Sequence, residues 1–241
     1  MAAIRSFGTD KTNQPAQTHQ SRSKPIVISV EAAIGTGKSS LLKLIQKREP
    51  SWVVVQEPVD MWQKVGGQHN LLEHFYNDFE RYAFSFQTYC FLTRIEAVTK
   101  AVRERQDSTP VIVVERSWFT DKHTFAEMLK KQGRISDMEW CLYEEWYNFA
   151  ARNAPTIHGH VYLDCSTETC MARLRKRGRS EETTVTSEYQ TSLIEHHEMW
   201  ANDHVEAEKL CRIDVNDDFI NNADNSDAMM EKLHTFVKSL Q

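Results

Sequence analysis

The sequence predicts an α/β fold: a central parallel sheet of five strands flanked on both faces by helices. Three observations carry this expectation. Short β-branched and apolar runs recur along the chain, each too short to be a helix. Longer stretches with helical spacing separate them. The alternation continues from residue 26 almost to the last residue, as in a sheet whose parallel strands are joined by helical crossovers.

The first run, Ile26-Val27-Ile28-Ser29-Val30, leads into a glycine-containing loop. Ser39 to Lys47 follows with Leu41, Leu44 and Ile45 on one helical face. Trp52-Val53-Val54-Val55 and Val111-Ile112-Val113-Val114 are continuous apolar runs, expected to be strands buried on both sheet faces. His160 to Asp164 and Leu210 to Val215 complete the set of strands. Helices are expected over roughly Phe79 to Arg105, Ser136 to Ala151 and Thr167 to Lys176. The second of these opens with Ser136-Asp137-Met138-Glu139, a capping-box pattern.

With 241 residues, 40% hydrophobic and 26% charged, the chain has the composition of a globular protein with room for a sizeable core. Residues 1–24 are polar and without hydrophobic period, and are expected to be a disordered arm before a single domain over 25–241. A formal net charge of -5 argues against a dedicated nucleic-acid binder. No apolar run approaches a membrane span. The five cysteines form no CxxC pair, which suits free thiols in a reducing, cytoplasmic setting. A mitochondrial location is the alternative, since Arg5, Lys11, Arg22 and Lys24 face only Asp10 in the arm.

The loop after the first run, Ala32-Ala33-Ile34-Gly35-Thr36-Gly37-Lys38-Ser39-Ser40, ends like the phosphate-binding pattern G-x-x-x-x-G-K-[ST]. Such a loop needs backbone N–H groups aimed at phosphate oxygens, a lysine charge, and a hydroxyl for magnesium. Gly35 and Gly37 allow close backbone approach, Lys38 supplies the charge and Ser39 the hydroxyl. The following helix adds its N-terminal dipole. Ala32 stands where the pattern has glycine; it is harmless if φ is negative and costs roughly 1 kcal/mol if φ is positive. The expected ligands are a nucleoside triphosphate, ATP or another, and Mg2+.

Ligands of open α/β sheets sit beyond the carboxyl ends of the strands, so Glu57, after the second strand, should face this loop and could accept a proton from an attacking hydroxyl. Glu115-Arg116 after the third strand repeats the design. Glu115 would hold the metal with Ser39, and Arg116 would neutralise phosphate charge. The basic run Arg173-Leu174-Arg175-Lys176-Arg177-Gly178-Arg179 reads as an arginine-rich lid over the transferred phosphoryl group.

These stretches occur in one order: ISVEAAIGTGKSS, QEPVDMW, FSFQTY, ERSWFTD, RLRKRGRSEE with Glu188-Tyr189 after it, and VNDDF near the end. From Ile26 to about Leu240 the chain thereby resembles the deoxynucleoside kinases of the deoxycytidine and deoxyguanosine kinase type, which have a P-loop NTPase fold. The resemblance implies Glu57 as the base on the 5′-hydroxyl, and Arg116, Arg173, Arg177 and Arg179 as phosphate contacts. It implies Tyr76 and Glu182 on the sugar 3′-hydroxyl. Ile34, Trp62, Leu72, Phe75, Phe86 and Phe125 would wall the base pocket, with Gln87 on the base edge. The VNDDF stretch, with Asp218 and Phe219, would contact the donor adenine. A homodimer is also implied.

A glutamine amide offers donors and an acceptor, so Gln87 alone cannot choose between bases. Arg94 and Asp121 match a charged pair of the cytidine- and purine-preferring members, and would crowd the space a 5-methyl group needs. Deoxycytidine and deoxypurines are therefore expected over thymidine. Two rivals stand beside this reading: a nucleoside-monophosphate kinase similar to thymidylate kinase, and a non-catalytic relative keeping the fold as a binding or structural subunit. His196 and His197 point about 100° apart on a helix and cannot share one metal. Trp140, Tyr143 and Tyr147 share a helical face that suits the core or a partner subunit.

Overall fold

The computed structural model describes residues 24–105, 107–179 and 182–241. The arm expected over 1–24 lies outside these residues except for Lys24. Five strands, β1 (Ile26–Glu31), β2 (Val53–Val55), β3 (Val111–Glu115), β4 (Gly159–Asp164) and β5 (Leu210–Asp214), form one sheet in the order β2-β3-β1-β4-β5. Every pairing is parallel. The helices are α1 (Lys38–Arg48), α2 (Val59–Gln63), α3 (Leu71–Asn77), α4 (Phe79–Glu104), α5 (Trp118–Thr120), α6 (Glu127–Lys131), α7 (Asp137–Ala151), α8 (Thr167–Arg177), α9 (Ser187–Asp203) and α10 (Ala223–Ser239). A π-helical turn, Asp121–Ala126, joins α5 to α6. Among the described residues no helix is long and apolar enough to cross a membrane.

Period-two alternation divides the core between the two faces of the sheet. Ile28, Val30, Val111, Val113, Val161, Leu163 and Ile213 pack with Leu41, Leu42 and Ile45 of α1 and with Met229 and Leu233 of α10. Val27, Ile112 and Val114 point the other way, toward Phe91 and Val98 of α4 and Tyr143 of α7. Ser29 and Glu31 share the parity of Val27, so β1 carries two fully buried polar side chains into that second face. The continuous apolar run expected to make β2 doubly buried behaves differently. Val53, Val54 and Val55 are only half-buried, because β2 is a sheet edge with a neighbour on one side alone. Trp52 falls outside the strand and meets His234 edge-on.

Local signals set the helix ends. Asp78 caps α4 by accepting from Arg81 N, and the Ser136/Glu139 capping box is present at α7. Gly178 ends α8 in the left-handed conformation at φ 64. Register then aligns the working edge of the sheet. Val30 lies beside Glu115, and Val55 beside Val114, so the residues following β1, β2 and β3 emerge together at the carboxyl edge.

Gly159, at the start of β4, has no room for a methyl group. A Cβ there would come within 2.6 Å of Phe236 and 2.7 Å of Leu240. Gly159→Ala should cost about 1–3 kcal/mol through overpacking. Gly133→Ala, at φ 72 in open space, should cost about 1 kcal/mol through backbone strain alone. Urea unfolding midpoints check this ranking; equal losses would mean that contact with α10 does not decide it.

Candidate functional site

The loop between β1 and α1 is held from several sides. Gly35 and Gly37 adopt φ 77 and φ 112, conformations that favour glycine. Ala32 does not: among the described residues only Arg116 is a non-glycine residue with positive φ. The methyl group of Ala32 is therefore unstrained, and it is fully buried in the apolar core beneath the loop. Thr36 Oγ1 donates to the Ala33 carbonyl at 3.0 Å, and Gln190 Nε2 of α9 donates to the Ile34 carbonyl at 2.6 Å. Lys38 Nζ donates to the carbonyls of Ala33 at 2.8 Å and Ala32 at 3.3 Å. Burial, then the Arg116 charge, pulls its ammonium pKa down to about 7. Ser40 N and Leu41 N turn back to the Gly37 carbonyl, opening α1 at the loop.

Across the loop stand the carboxylates. Ser39 Oγ donates to Glu115 Oε1 at 2.8 Å, so hydroxyl and carboxylate offer a pair of hard oxygens. Among the described residues no group of three or more His, Cys, Asp or Glu side chains could cage a metal. A magnesium ion held by Ser39 and Glu115 would thus fill its shell from phosphate and water, as that ion commonly does. Glu57 lies between two guanidinium groups, with Arg94 at 3.0 Å and Arg116 at 3.3 Å. Burial alone would raise its pKa, but the charges of Arg116, Arg94 and Lys38 outweigh burial and hold it below the usual carboxylate value.

Arg116 reaches this position through an unusual backbone. Its φ of 63 is costly for a side chain with a Cβ, on the order of 1–3 kcal/mol. Glu31 holds the turn, accepting from Ser117 N at 2.9 Å and from Thr120 Oγ1 at 2.7 Å. The Glu31 carboxyl is kept ionised, at about 2, by His160, Ser117 and Ser29 despite complete burial. Arg116 also donates to the Ala32 carbonyl and lies over the Phe125 ring at 4.7 Å. Glu31 was not among the residues expected from sequence. The available signal was an acid on the last, inward-facing position of a buried strand.

Behind Glu57 is a buried aromatic region. Arg94 binds Asp121 through Nε at 2.7 Å and NH2 at 3.0 Å, and it also donates to the Glu115 carbonyl at 2.8 Å. The charged pair expected at the base edge therefore also braces Glu57. Asp121 begins the π-helical turn, a distortion frequent at functional sites. Trp62 donates to Thr93 at 3.0 Å and meets Phe86 edge-on. Phe75 stacks on Phe86 at 4.3 Å, covering one face of that ring. Leu72, Tyr76 and Ile34 are buried around them, while Phe125 is half-buried. Gln87 is buried with its Oε1 lacking a hydrogen-bond partner, the kind of orphaned acceptor that a ligand donor would satisfy.

The basic run divides into two. Arg177 and Arg179 pair with Glu182 on the site side. Arg173 instead turns under the loop, donating to the carbonyls of Thr36 at 2.9 Å and Val215 at 2.7 Å, with Asn216 and Asp217 at 3.3 Å. In this structure its guanidinium ties the loop to the segment after β5. There Asp218 accepts from its own neighbours Ile220 N and Asn221 N. The Phe219 ring lies against Gly37, within 3.2 Å of where a Cβ would stand.

Comparison with known proteins agrees with this geometry. Residues 28–238 match the family model described as deoxynucleoside kinase. Deoxycytidine kinase 2 of Gallus gallus is 33% identical over 88% of this chain and 90% of its own length. Deoxycytidine kinase of Homo sapiens is 31% identical over 88% and 91%. The mitochondrial deoxyguanosine kinase of Xenopus laevis is 28% identical over 98% of this chain and all of its own. The chain belongs to the deoxynucleoside kinase family.

Proposed function

We propose that this kinase transfers the γ-phosphoryl group of ATP or another nucleoside triphosphate to the 5′-hydroxyl of a deoxynucleoside, within a single catalytic domain over 25–241. The observation that carries the reading is Glu57, held ionised between Arg94 and Arg116 and facing Lys38. Glu57 takes the proton of the acceptor hydroxyl as its oxygen bonds to phosphorus and the bond to the leaving diphosphate breaks. Arg116 and Lys38 stabilise the charge that spreads over the transferred group. Ser39 and Glu115 would hold magnesium, which would supply further neutralisation of phosphate charge. Arg177 and Arg179 act as the lid, exchanging Glu182 for phosphate, which frees Glu182 for the sugar 3′-hydroxyl beside Tyr76.

The base would enter among Ile34, Trp62, Leu72, Phe75, Phe86 and Phe125, with Gln87 on its edge. Arg94 and Asp121 favour deoxycytidine and deoxypurines, because a buried ion pair leaves little room or apolar surface for a 5-methyl group. The chain pairs as a homodimer through α7, where Met138, Trp146 and Phe149 lie at helical spacing with exposures of 71%, 45% and 66%. Leu92 of α4 adds a fourth exposed apolar side chain. Five free thiols suit a reducing compartment, and the cytoplasm is proposed.

Steady-state phosphorylation of the four natural deoxynucleosides with ATP and magnesium is the primary test. Deoxycytidine or a deoxypurine should have the highest kcat/KM, and Glu57→Gln should lower kcat by about 100-fold or more. Turnover of a nucleoside monophosphate alone, or of nothing, would overturn the reading. Because its pKa is depressed, Glu57 remains a base as pH falls through the ordinary carboxylate range. The acid limb of kcat/KM, which reports the free enzyme, should therefore lie below that range.

Lys38 gives a second test. With its pKa near 7 in the free protein, the ammonium is largely neutral at pH 8, and an arriving phosphate raises that pKa. Donor binding at pH 8 should take up protons, and affinity should fall as pH rises above about 7. Titration calorimetry in buffers of different ionisation enthalpy measures the uptake; none would contradict it. For the dimer, Trp146→Glu with Phe149→Glu should shift sedimentation to the monomer without loss of folding.

A further inference from the structure

The phosphate loop is held by its carbonyls, and one of the side chains that holds it has no part in the proposed mechanism. Gln190 lies in the opening turn of α9, beside Tyr189, whose N–H donates to the Thr186 cap. Gln190 is fully buried. Its Nε2 donates to the Ile34 carbonyl at 2.6 Å, across 156 residues of sequence. Its Oε1 has no hydrogen-bond partner among the described residues. Burying an amide with its oxygen unmet is unfavourable for folding, and an apolar side chain of the same length would fill the space without that cost. Stability therefore does not account for a glutamine here; the bond to Ile34 does.

What that bond fixes follows from the peptide plane. In a trans peptide the C=O and the N–H of the next residue point to opposite sides. No peptide bond among the described residues is cis, so drawing the Ile34 carbonyl toward α9 turns Gly35 N–H away from α9. Gly35 accommodates this setting at φ 77, and the Cys170 carbonyl of α8 would lie 2.7 Å from a Cβ placed on it. The two helices thus form a seat for one peptide of the loop. Among the described residues none accepts a hydrogen bond from Gly35 N, which leaves that donor for a ligand oxygen. Arg173 of α8 takes the Thr36 carbonyl at 2.9 Å, setting Gly37 N–H in the same manner.

We propose that Gln190 is a positioning residue for the phosphate donor: by holding the Ile34 carbonyl, it presets Gly35 N–H toward the phosphates. The triphosphate then meets an oriented donor and does not have to turn the peptide itself. Oriented backbone donors are most effective in a buried site, where no reorganisation is required when the charge arrives. Gln190 touches neither substrate and acts through Ile34 and Gly35 alone.

The inference rests on reading Gly35 to Ser39 as the donor site. The test uses full-length protein and two probes, ATP and inorganic tripolyphosphate, each titrated calorimetrically with magnesium present. Gln190→Met keeps the length of the side chain and removes its N–H. It should raise the Kd of both probes by about tenfold, and by the same factor, because the lost interaction is with phosphate and not with the nucleoside. The deoxynucleoside KM at saturating ATP should change less than about twofold, and the urea midpoint should not fall. Gln190→Glu supplies a second readout, and carries the test alone if the methionine variant does not fold. A protonated carboxyl can donate to the Ile34 carbonyl and an ionised one cannot. The ratio of its ATP Kd to that of the parent at the same pH should therefore widen as pH rises from about 5.5 to about 8.5. An unchanged tripolyphosphate Kd in Gln190→Met, a loss confined to ATP, or a pH-independent ratio in Gln190→Glu overturns the proposal. So does a loss of affinity that only tracks a fall in the urea midpoint. A parent protein that binds neither probe fails instead on the donor-site reading, and the proposal falls with it.

Discussion

The hydrogen bond from Ser117 N to the buried carboxylate of Glu31 is the constraint on which the site depends. It spans 86 residues and fixes the backbone just after Arg116, the one described non-glycine residue at positive φ. In an ordinary extended conformation the Arg116 side chain would not be directed as it is toward Glu57 and Ala32. A charge-assisted bond of this kind is stronger than a neutral one and is not weakened by competing water at full burial. Ser29, bonded to His160 at 2.7 Å, and His160 beside Glu31 extend the same network across β1 and β4. The centre of the sheet is therefore a polar support as well as an apolar core.

From that support follows a balance of charge. Lys38, Arg94 and Arg116 face Glu57, Glu115 and Asp121 within the buried site. Three cations face three anions, so the resting site carries no surplus of positive charge even with Lys38 protonated, and Lys38 is only half-charged near pH 7. A triphosphate brings several negative charges into it. In the proposed reaction the compensation would come from recovery of the Lys38 proton, a metal held by Ser39 and Glu115, and the arginines at the end of α8. This is a physical reason for a basic segment to sit at a helix C-terminus where the resting protein satisfies it with Glu182.

Sequence reasoning reached some of these features and missed others for identifiable reasons. The strand order of types, the long helix from Phe79 to Glu104 and the capping box at Ser136 were legible because each rests on residues close in sequence. Glu57 and Glu115 were legible as strand-end acids, since parallel strands deliver their carboxyl ends to one edge. The left-handed turn at Arg116 was not, because its cause is a carboxylate on another strand. Arg173 looked like its neighbours in the basic run, yet helical spacing turns it inward, to carbonyls on two separate loops. The half-burial of β2 was hidden for a similar reason: an apolar run does not say whether its strand ends up at the edge.

The departure from the usual loop pattern at Ala32 follows from the same geometry. A phosphate loop requires glycine only where φ is positive or where another backbone comes too close for a Cβ. Both conditions are met at Gly35, which is at φ 77 and has the Cys170 carbonyl 2.7 Å from its missing Cβ. Gly37 has φ 112 and the Phe219 ring beside it. Neither condition holds at Ala32, whose methyl group is covered by the core below α1 and whose carbonyl remains available to Lys38 and Arg116. The first position of the loop is thus a packing position in this chain, where a buried methyl group adds to the core and leaves the phosphate-facing backbone unaltered.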